Sequence, residues 1–299
     1  MKHFNPFILG TVQLGQPYGI ANNCGKPNQL EADAIVRTAW EGGIKFFDTA
    51  QVYGDSESVL GKALLSYGWS GMANVITKLP PKLPDSPAGL RASIKQSLKN
   101  LGIRKLYCLM LHRQEQLTEL DAWPGEIIEE FQLLGFTERI GVSVYTPEAA
   151  LTALAHRLIS VVQIPASLFD RRFESAGVFA EARRCGKELH IRSIFLQGVL
   201  SMRPEQLPDK LFRLVPALQA LQQICTRYAC SQLQGALSWI LHRYPSNRIL
   251  FGVERASQVR QNLDFATRSA HLPQGLYLEL ESILPPQIPE LLNPALWTR

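Results

Sequence analysis

The hydrophobic positions of this chain alternate between two patterns. Short apolar, β-favouring runs recur at 7–10, 44–47, 75–78, 106–111, 139–144, 160–164, 188–193 and 248–251. Between them lie segments whose apolar residues keep helical spacing, such as Leu30, Ala34, Ile35 and Ala39, or Val59, Leu60, Ala63 and Leu64. The spacing predicts helices over 28–40, from 56 onward, and over 86–101, 123–134, 173–184, 216–242 and 256–265. One more follows Thr146. Punctuation supports these boundaries. Asn28 is a suitable N-cap, Pro147 fits a first helical position, and Gly186 fits a helix end. The long stretch 216–242 is expected to break near 228–231. The strand ends fall near 10, 48, 78, 111, 144, 164, 193 and 251, and most gaps are about 30 residues, the size of one strand-helix unit. No linker interrupts this rhythm. It predicts one domain over 1–299, a single (β/α)8 TIM barrel of the α/β class, with a C-terminal tail at about 272–299. A doubly wound open sheet is the alternative, but no GxGxxG follows the first strand.

Composition changes this picture little. The chain has 299 residues, 46% hydrophobic and 19% charged, as ordinary soluble proteins do. No apolar run approaches the roughly 20 residues of a membrane helix. The apolar patch Phe7, Ile8, Leu9 lacks a signal-peptide core, so a cytoplasmic location is expected. Cys24, Cys108, Cys185, Cys225 and Cys230 show no CxxC spacing and read as reduced thiols. The net charge of +5 is dispersed. That counts against nucleic acid as a partner and suits a small anionic ligand such as a phosphorylated cofactor.

The candidate chemistry lies at the strand ends. Asp48 closes the second apolar run, Tyr53 follows in the next loop, Lys78 closes the third run and His112 follows the fourth. In such a barrel the active site is built at this face, and adjacent strands bring these four side chains together. A tyrosine hydroxyl has a pKa near 10, too high for an efficient acid at neutral pH. The expectation is that Lys78 stabilises the phenolate and lowers that value. Asp48 would hold Lys78 and keep it charged. His112 could donate a hydrogen bond to a carbonyl oxygen and stabilise developing negative charge. The set suits protonation of a carbonyl oxygen while hydride from a nicotinamide attacks the carbon. There is no metal-ligand cluster and no GxSxG.

Residues 47–54 (FDTAQVYG), 76–78 (ITK) and 109–112 (LMLH) closely resemble the tetrad motifs of the aldo/keto reductase family. The likeness runs from 9 to 263, most of the chain. Segments 9–21 (LGTVQLGQPYGIA) and 163–173 (QIPASLFDRRF) look like a bacterial subgroup often associated with surface-polysaccharide gene clusters. The resemblance implies reduction of an aldehyde or ketone, a sugar or another small carbonyl, with Asp48, Tyr53, Lys78 and His112 as catalytic residues. It implies cofactor contacts from Gly10, Thr11 and Asp48, and from Ser143 and Gln163 to the nicotinamide carboxamide. Val144 stands where relatives usually carry Asn. The loop Ser193, Phe195, Leu196, Gly198 would follow the pyrophosphate, with Ile194 in place of Pro. Gly252, Glu254, Arg255, Gln258 and Asn262 would meet the adenosine phosphate at a helix N-terminus. Arg255 favours a 2′-phosphate, whereas Glu254 favours a free ribose hydroxyl. NADP(H) is the expected cofactor and NAD(H) the alternative. Tyr18, Tyr53 and His112 would line the substrate pocket. Trp123, Trp239, Trp297, His156, His190 and His242 read as packing. A cofactor-binding regulatory or scaffold barrel with little turnover is the competing reading. A barrel lyase or isomerase using Lys78 as a Schiff base is a third.

Overall fold

Eight short strands close the centre of the computed structural model, which describes residues 5–22 and 24–297. They are β1 (Phe7–Gly10), β2 (Phe46–Asp48), β3 (Asn74–Lys78), β4 (Leu106–Leu111), β5 (Thr137–Ser143), β6 (Val161–Pro165), β7 (Glu188–Arg192) and β8 (Arg248–Gly252). All pair in parallel in chain order, and β8 returns to β1. The expected barrel is therefore present. Its register sets the site: Gly10 lies beside Asp48 and Gly252, Lys78 beside Met110, and Ser143 beside Gln163. The polar strand ends thus share one rim.

The strands alternate sides, as period-two backbone requires. Ile8, Ile76, Cys108, Met110 and Val161 fill the barrel interior. Their neighbours Leu9, Phe47, Val75, Leu109, Val142 and Val162 face outward into a continuous layer shared with the helices. Apolar runs buried on both faces are what a parallel barrel needs.

Local chemistry starts the helices where the pattern says. Asn28 accepts a hydrogen bond from Glu31 N (3.0 Å), Ser86 from Gly89 N (3.1 Å) and Thr146 from Ala149 N (3.3 Å). The stretch 216–242 divides as expected into Val215–Arg227 and Gln232–Arg243, the second capped by Ser231. Other expectations shift. The second strand starts at Phe46, because Ile44 N still bonds back to Ala39 O. The single helix over 173–184 is two, Arg172–Ser175 and Val178–Cys185, separated by Gly177 at φ 78°. The loop after β1 contains a helical turn, Val12–Gly15. The long connection after β7 folds into 3-10 turns at Leu196–Ser201, Pro204–Gln206 and Asp209–Leu214.

The tail packs on the barrel through Leu276, Leu280, Leu291 and Leu292, all buried. Arg171 ties it down by donating to the carbonyls of Glu281 (2.8 Å) and Leu280 (3.2 Å). Trp239 is buried, as expected of a packing residue. Among the described residues no helix is long and apolar enough to cross a membrane.

Candidate active site

The loop after β2 is held by glycine and hydroxyls before any catalytic group is placed. Gly15 packs so tightly on it that a Cβ there would lie 1.6 Å from the Tyr53 carbonyl oxygen. Thr11 Oγ1 donates to Asp48 O (2.9 Å), and Ser56 Oγ donates to Thr11 O (2.7 Å). Thr49 Oγ1 donates to Ser56 Oγ (2.9 Å). This network fixes where β2 ends and where Tyr53 begins.

Asp48 and Lys78 form an ion pair, both almost wholly buried. Lys78 Nζ also donates to Thr49 O (3.0 Å), and Asp48 Oδ2 accepts from Gln163 Nε2 (2.9 Å). Each buried charge thus has a second partner, which a pair at this depth requires. Tyr53 sits above Lys78, whose Nζ is 5.1 Å from the ring centroid. Its ring meets His112 edge to face, with centroids 5.7 Å apart at 88°. The four expected side chains are together.

Their electrostatics differ from expectation in one respect. The Tyr53 hydroxyl is pushed up, not down, by burial first and then by Asp48 and Tyr145, while Arg192 pulls it the other way. The charge of Lys78 is spent on Asp48, so the phenolate gains little from it. Tyr53 therefore holds its proton firmly at physiological pH. His112 is pushed down to about 3, by burial and then by the cations Lys78, Arg192 and Arg113, with only the Leu79 backbone opposing. It is a neutral imidazole at physiological pH. Its Nδ1 is buried without a partner in the protein.

The tetrad opens into a cleft of about 290 Å³ that runs from Tyr53 and His112 to the end of β8. Of the residues expected to contact the cofactor, Gly10, Thr11, Asp48, Ser143, Gln163, Ser193, Phe195, Gly198, Gly252, Glu254, Gln258 and Asn262 line it. Leu196 does not; it is buried beneath the loop. Arg255 does not line it either, and its Nη2 turns to Cys24 Sγ at 3.1 Å. Lys78 supports the wall from below. Tyr18 lines the cleft, its hydroxyl accepting from Gln197 Nε2 (2.9 Å) and pushed up to about 12, chiefly by burial.

Two features suit a nicotinamide dinucleotide. At Gly252 a Cβ would come within 2.4 Å of Gln13 Oε1, itself buried and without a partner. Ser193, Leu196 and Gln197 hold φ of 60°, 48° and 52°, left-handed, strained backbone in the loop whose Ser193 and Gln197 line the cleft. The helix Ala256–Ser269 starts at the far end, and the backbone donors leading into it, with its first, are taken. Gln258 Oε1 accepts from Glu254 N (2.7 Å) and Arg255 N (3.1 Å), and Glu31 Oε1 accepts from Ala256 N (2.9 Å). Gln258 Nε2 holds Glu254 Oε2 at 2.8 Å.

Among the cleft residues not foreseen are Tyr145, Arg192 and Gln13. Arg192 had a signal: like Asp48, it is a charge at the end of an apolar strand. Tyr145 and Gln13 had none beyond lying just past strand ends.

An eight-stranded parallel barrel carrying a buried Asp-Lys pair under a tyrosine and a histidine defines a class of carbonyl oxidoreductases. The chain belongs to the aldo/keto reductase family, whose sequence profile matches residues 6–281. It is thereby an oxidoreductase of the carbonyl-reducing kind that works with a nicotinamide cofactor. It is 25% identical over 283 residues to an L-glyceraldehyde 3-phosphate reductase of Escherichia coli O157:H7, covering 82% of each chain. It is 25% identical over 290 residues to an NADH-specific methylglyoxal reductase of Escherichia coli K12, covering 85% of this chain and 87% of that one. The structure superposes on the holo form of an aldo-keto reductase from Bacillus halodurans with a TM-score of 0.75 at 20% identity, covering 95% of this chain and 93% of the other.

Proposed function

We propose that the protein reduces a small aldehyde or ketone to the alcohol, with Tyr53 as proton donor and NADH as the preferred reductant. The observation that carries the reading is the Tyr53–His112 pair facing the cleft above the buried Asp48–Lys78 pair. Neutral His112 orients the carbonyl oxygen by a hydrogen bond. The Tyr53 hydroxyl gives its proton to that oxygen as charge develops there. Asp48 and Lys78 hold the floor rigid and keep water from the ring. When bound, the reduced nicotinamide supplies the hydride. Ser143 and the Oε1 of Gln163 are the groups that would meet its carboxamide.

The sequence favours NADPH, but the far end of the cleft supports NADH better. Arg255, the expected phosphate partner, turns away to Cys24. The Glu254 carboxylate is held in place by Gln258, and the backbone donors of Glu254, Arg255 and Ala256 are already bonded to Gln258 and Glu31. A 2′-phosphate there would face the Glu254 carboxylate, whereas ribose hydroxyls can donate to it. The test is oxidation of NADH and NADPH in the presence of a panel of small aldehydes. Cofactor binding without turnover of any carbonyl would replace this reading with a regulatory barrel.

A further inference from the structure

Among the described residues Arg192 is the one cation lining the cleft, and the mechanism above makes no use of it. It stands at the end of β7, on the same rim as the tetrad. Its guanidinium lies over the Tyr145 ring at 4.2 Å. One Nη donates to Val144 O (3.1 Å) and the other to Ser193 Oγ (3.3 Å), while Nε is buried without a partner. Among the described residues no carboxylate forms an ion pair with it. The other charges lining the cleft are Asp48, already neutralised by Lys78, and Glu254, at the opposite end with Gln258. Tyr18, Tyr53 and Tyr145 stand around it, and its field acts on Tyr18, Tyr53 and His112.

A partly desolvated guanidinium without a counter-ion is unfavourable in the empty protein and becomes favourable when an anion arrives. The planar donor fork suits carboxylate or phosphate, and its bonds to an anion are roughly twice as strong as neutral ones. Its two neutral partners and the Tyr145 ring hold the fork in one orientation, which reduces the ordering cost of binding. From this placement we propose that Arg192 is a specificity-determining residue that selects carbonyl substrates carrying a carboxylate or phosphate group. The proposal rests on the reductase reading for its turnover arm only. The anionic group docks on Arg192 while the carbonyl oxygen reaches Tyr53 and His112.

The experiment compares wild type, Arg192→Leu and Arg192→Lys on two matched pairs: succinate semialdehyde against its methyl ester, and glyceraldehyde 3-phosphate against glyceraldehyde. Wild type should prefer at least one anionic member by about tenfold or more in kcat/KM, a difference of about 1.4 kcal/mol. Arg192→Leu should remove most of that preference, chiefly through KM, and Arg192→Lys should keep part of it. The pair that responds tells carboxylate from phosphate. Equal losses on the charged and neutral members, or a matching loss in cofactor affinity, would overturn the proposal and make Arg192 a cofactor contact. Calorimetric titration of succinate and of inorganic phosphate reads the same site without turnover. Binding that weakens about tenfold in Arg192→Leu supports the proposal even if no carbonyl is reduced, which would sink the reductase reading alone. Wild type that binds neither anion and shows no charge preference overturns it.

Discussion

The buried, neutral His112 makes a prediction about stability that can be worked through. An unfolded histidine titrates near pH 6.5, whereas His112 in the folded protein titrates at about 3. The folded value is the lower one. Between these limits the unfolded chain binds the extra proton, so stability rises with pH across the window and falls as pH drops through it. Above about 6.5 both states are neutral and the folded protein keeps its full stability. At pH 5 the environment lies one and a half pH units below the unfolded value. At about 1.36 kcal/mol per unit, His112 alone should destabilise the protein by about 2 kcal/mol relative to pH 7.5. His190 is also buried and pushed down, mainly by burial. Its contribution must be subtracted, which a variant does. His112→Gln keeps a neutral donor and removes the titration. Urea unfolding of cofactor-free wild type and His112→Gln at pH 7.5 and 5 gives four free energies. The fall on acidification should be about 2 kcal/mol larger in wild type than in the variant. Equal falls would show that His112 is not held neutral by burial and the cations around it, and the neutral-donor role would go with it.

The other predictions concern chemistry and the cofactor. Tyr53→Phe should lower carbonyl reduction by about a hundredfold or more, the scale of losing a positioned proton donor, with cofactor affinity little changed; near-normal turnover refutes the assignment. Asp48→Asn and Lys78→Met should each lose most of the activity that the double variant loses, because they act as one pair. Each single change should also cost about 3–5 kcal/mol of stability by leaving a buried charge alone, read by thermal unfolding; simply additive losses argue against coupling. Glu254→Gln should improve NADPH binding and weaken NADH binding, while Arg255→Ala should leave both nearly unchanged, measured by fluorescence titration. A selective loss of NADPH affinity in Arg255→Ala would show that its side chain swings from Cys24 to the phosphate.

Much of this molecule was legible in the chain. The barrel follows from eight apolar runs separated by helical periodicity and from helix-start signals such as Asn28 and Pro147 after Thr146, all of which act within a few residues. Asp48, Lys78 and His112 were legible for a related reason. A polar residue at the end of a buried strand is conspicuous, and parallel register carries it to the common rim. Local rules also failed locally. Gly177 divides a helix that periodicity joins, and the turns of 196–214 carry no strong period.

What tertiary structure alone decided is where side chains point and which charges cancel. Arg255 turns to Cys24, 231 residues away in sequence, and Glu31 reaches the start of the last barrel helix across 225 residues. Those two contacts, with the Gln258–Glu254 bond, occupy groups that residue types alone would leave free for a phosphate, which is what the proposed NADH preference rests on. The same holds for Tyr53. Adjacent Lys78 implies a lowered hydroxyl pKa, but Asp48 lies nearer to the ammonium and cancels it, and burial then dominates. Arg192 joins the site only because closure of the barrel brings the end of β7 to the same cleft as Tyr53 and His112. Backbone patterns are set by short-range sterics and periodic burial, which a sequence displays. Net charge at a point in space sums over groups that the sequence keeps far apart, and only the closed barrel brings them within reach of one another.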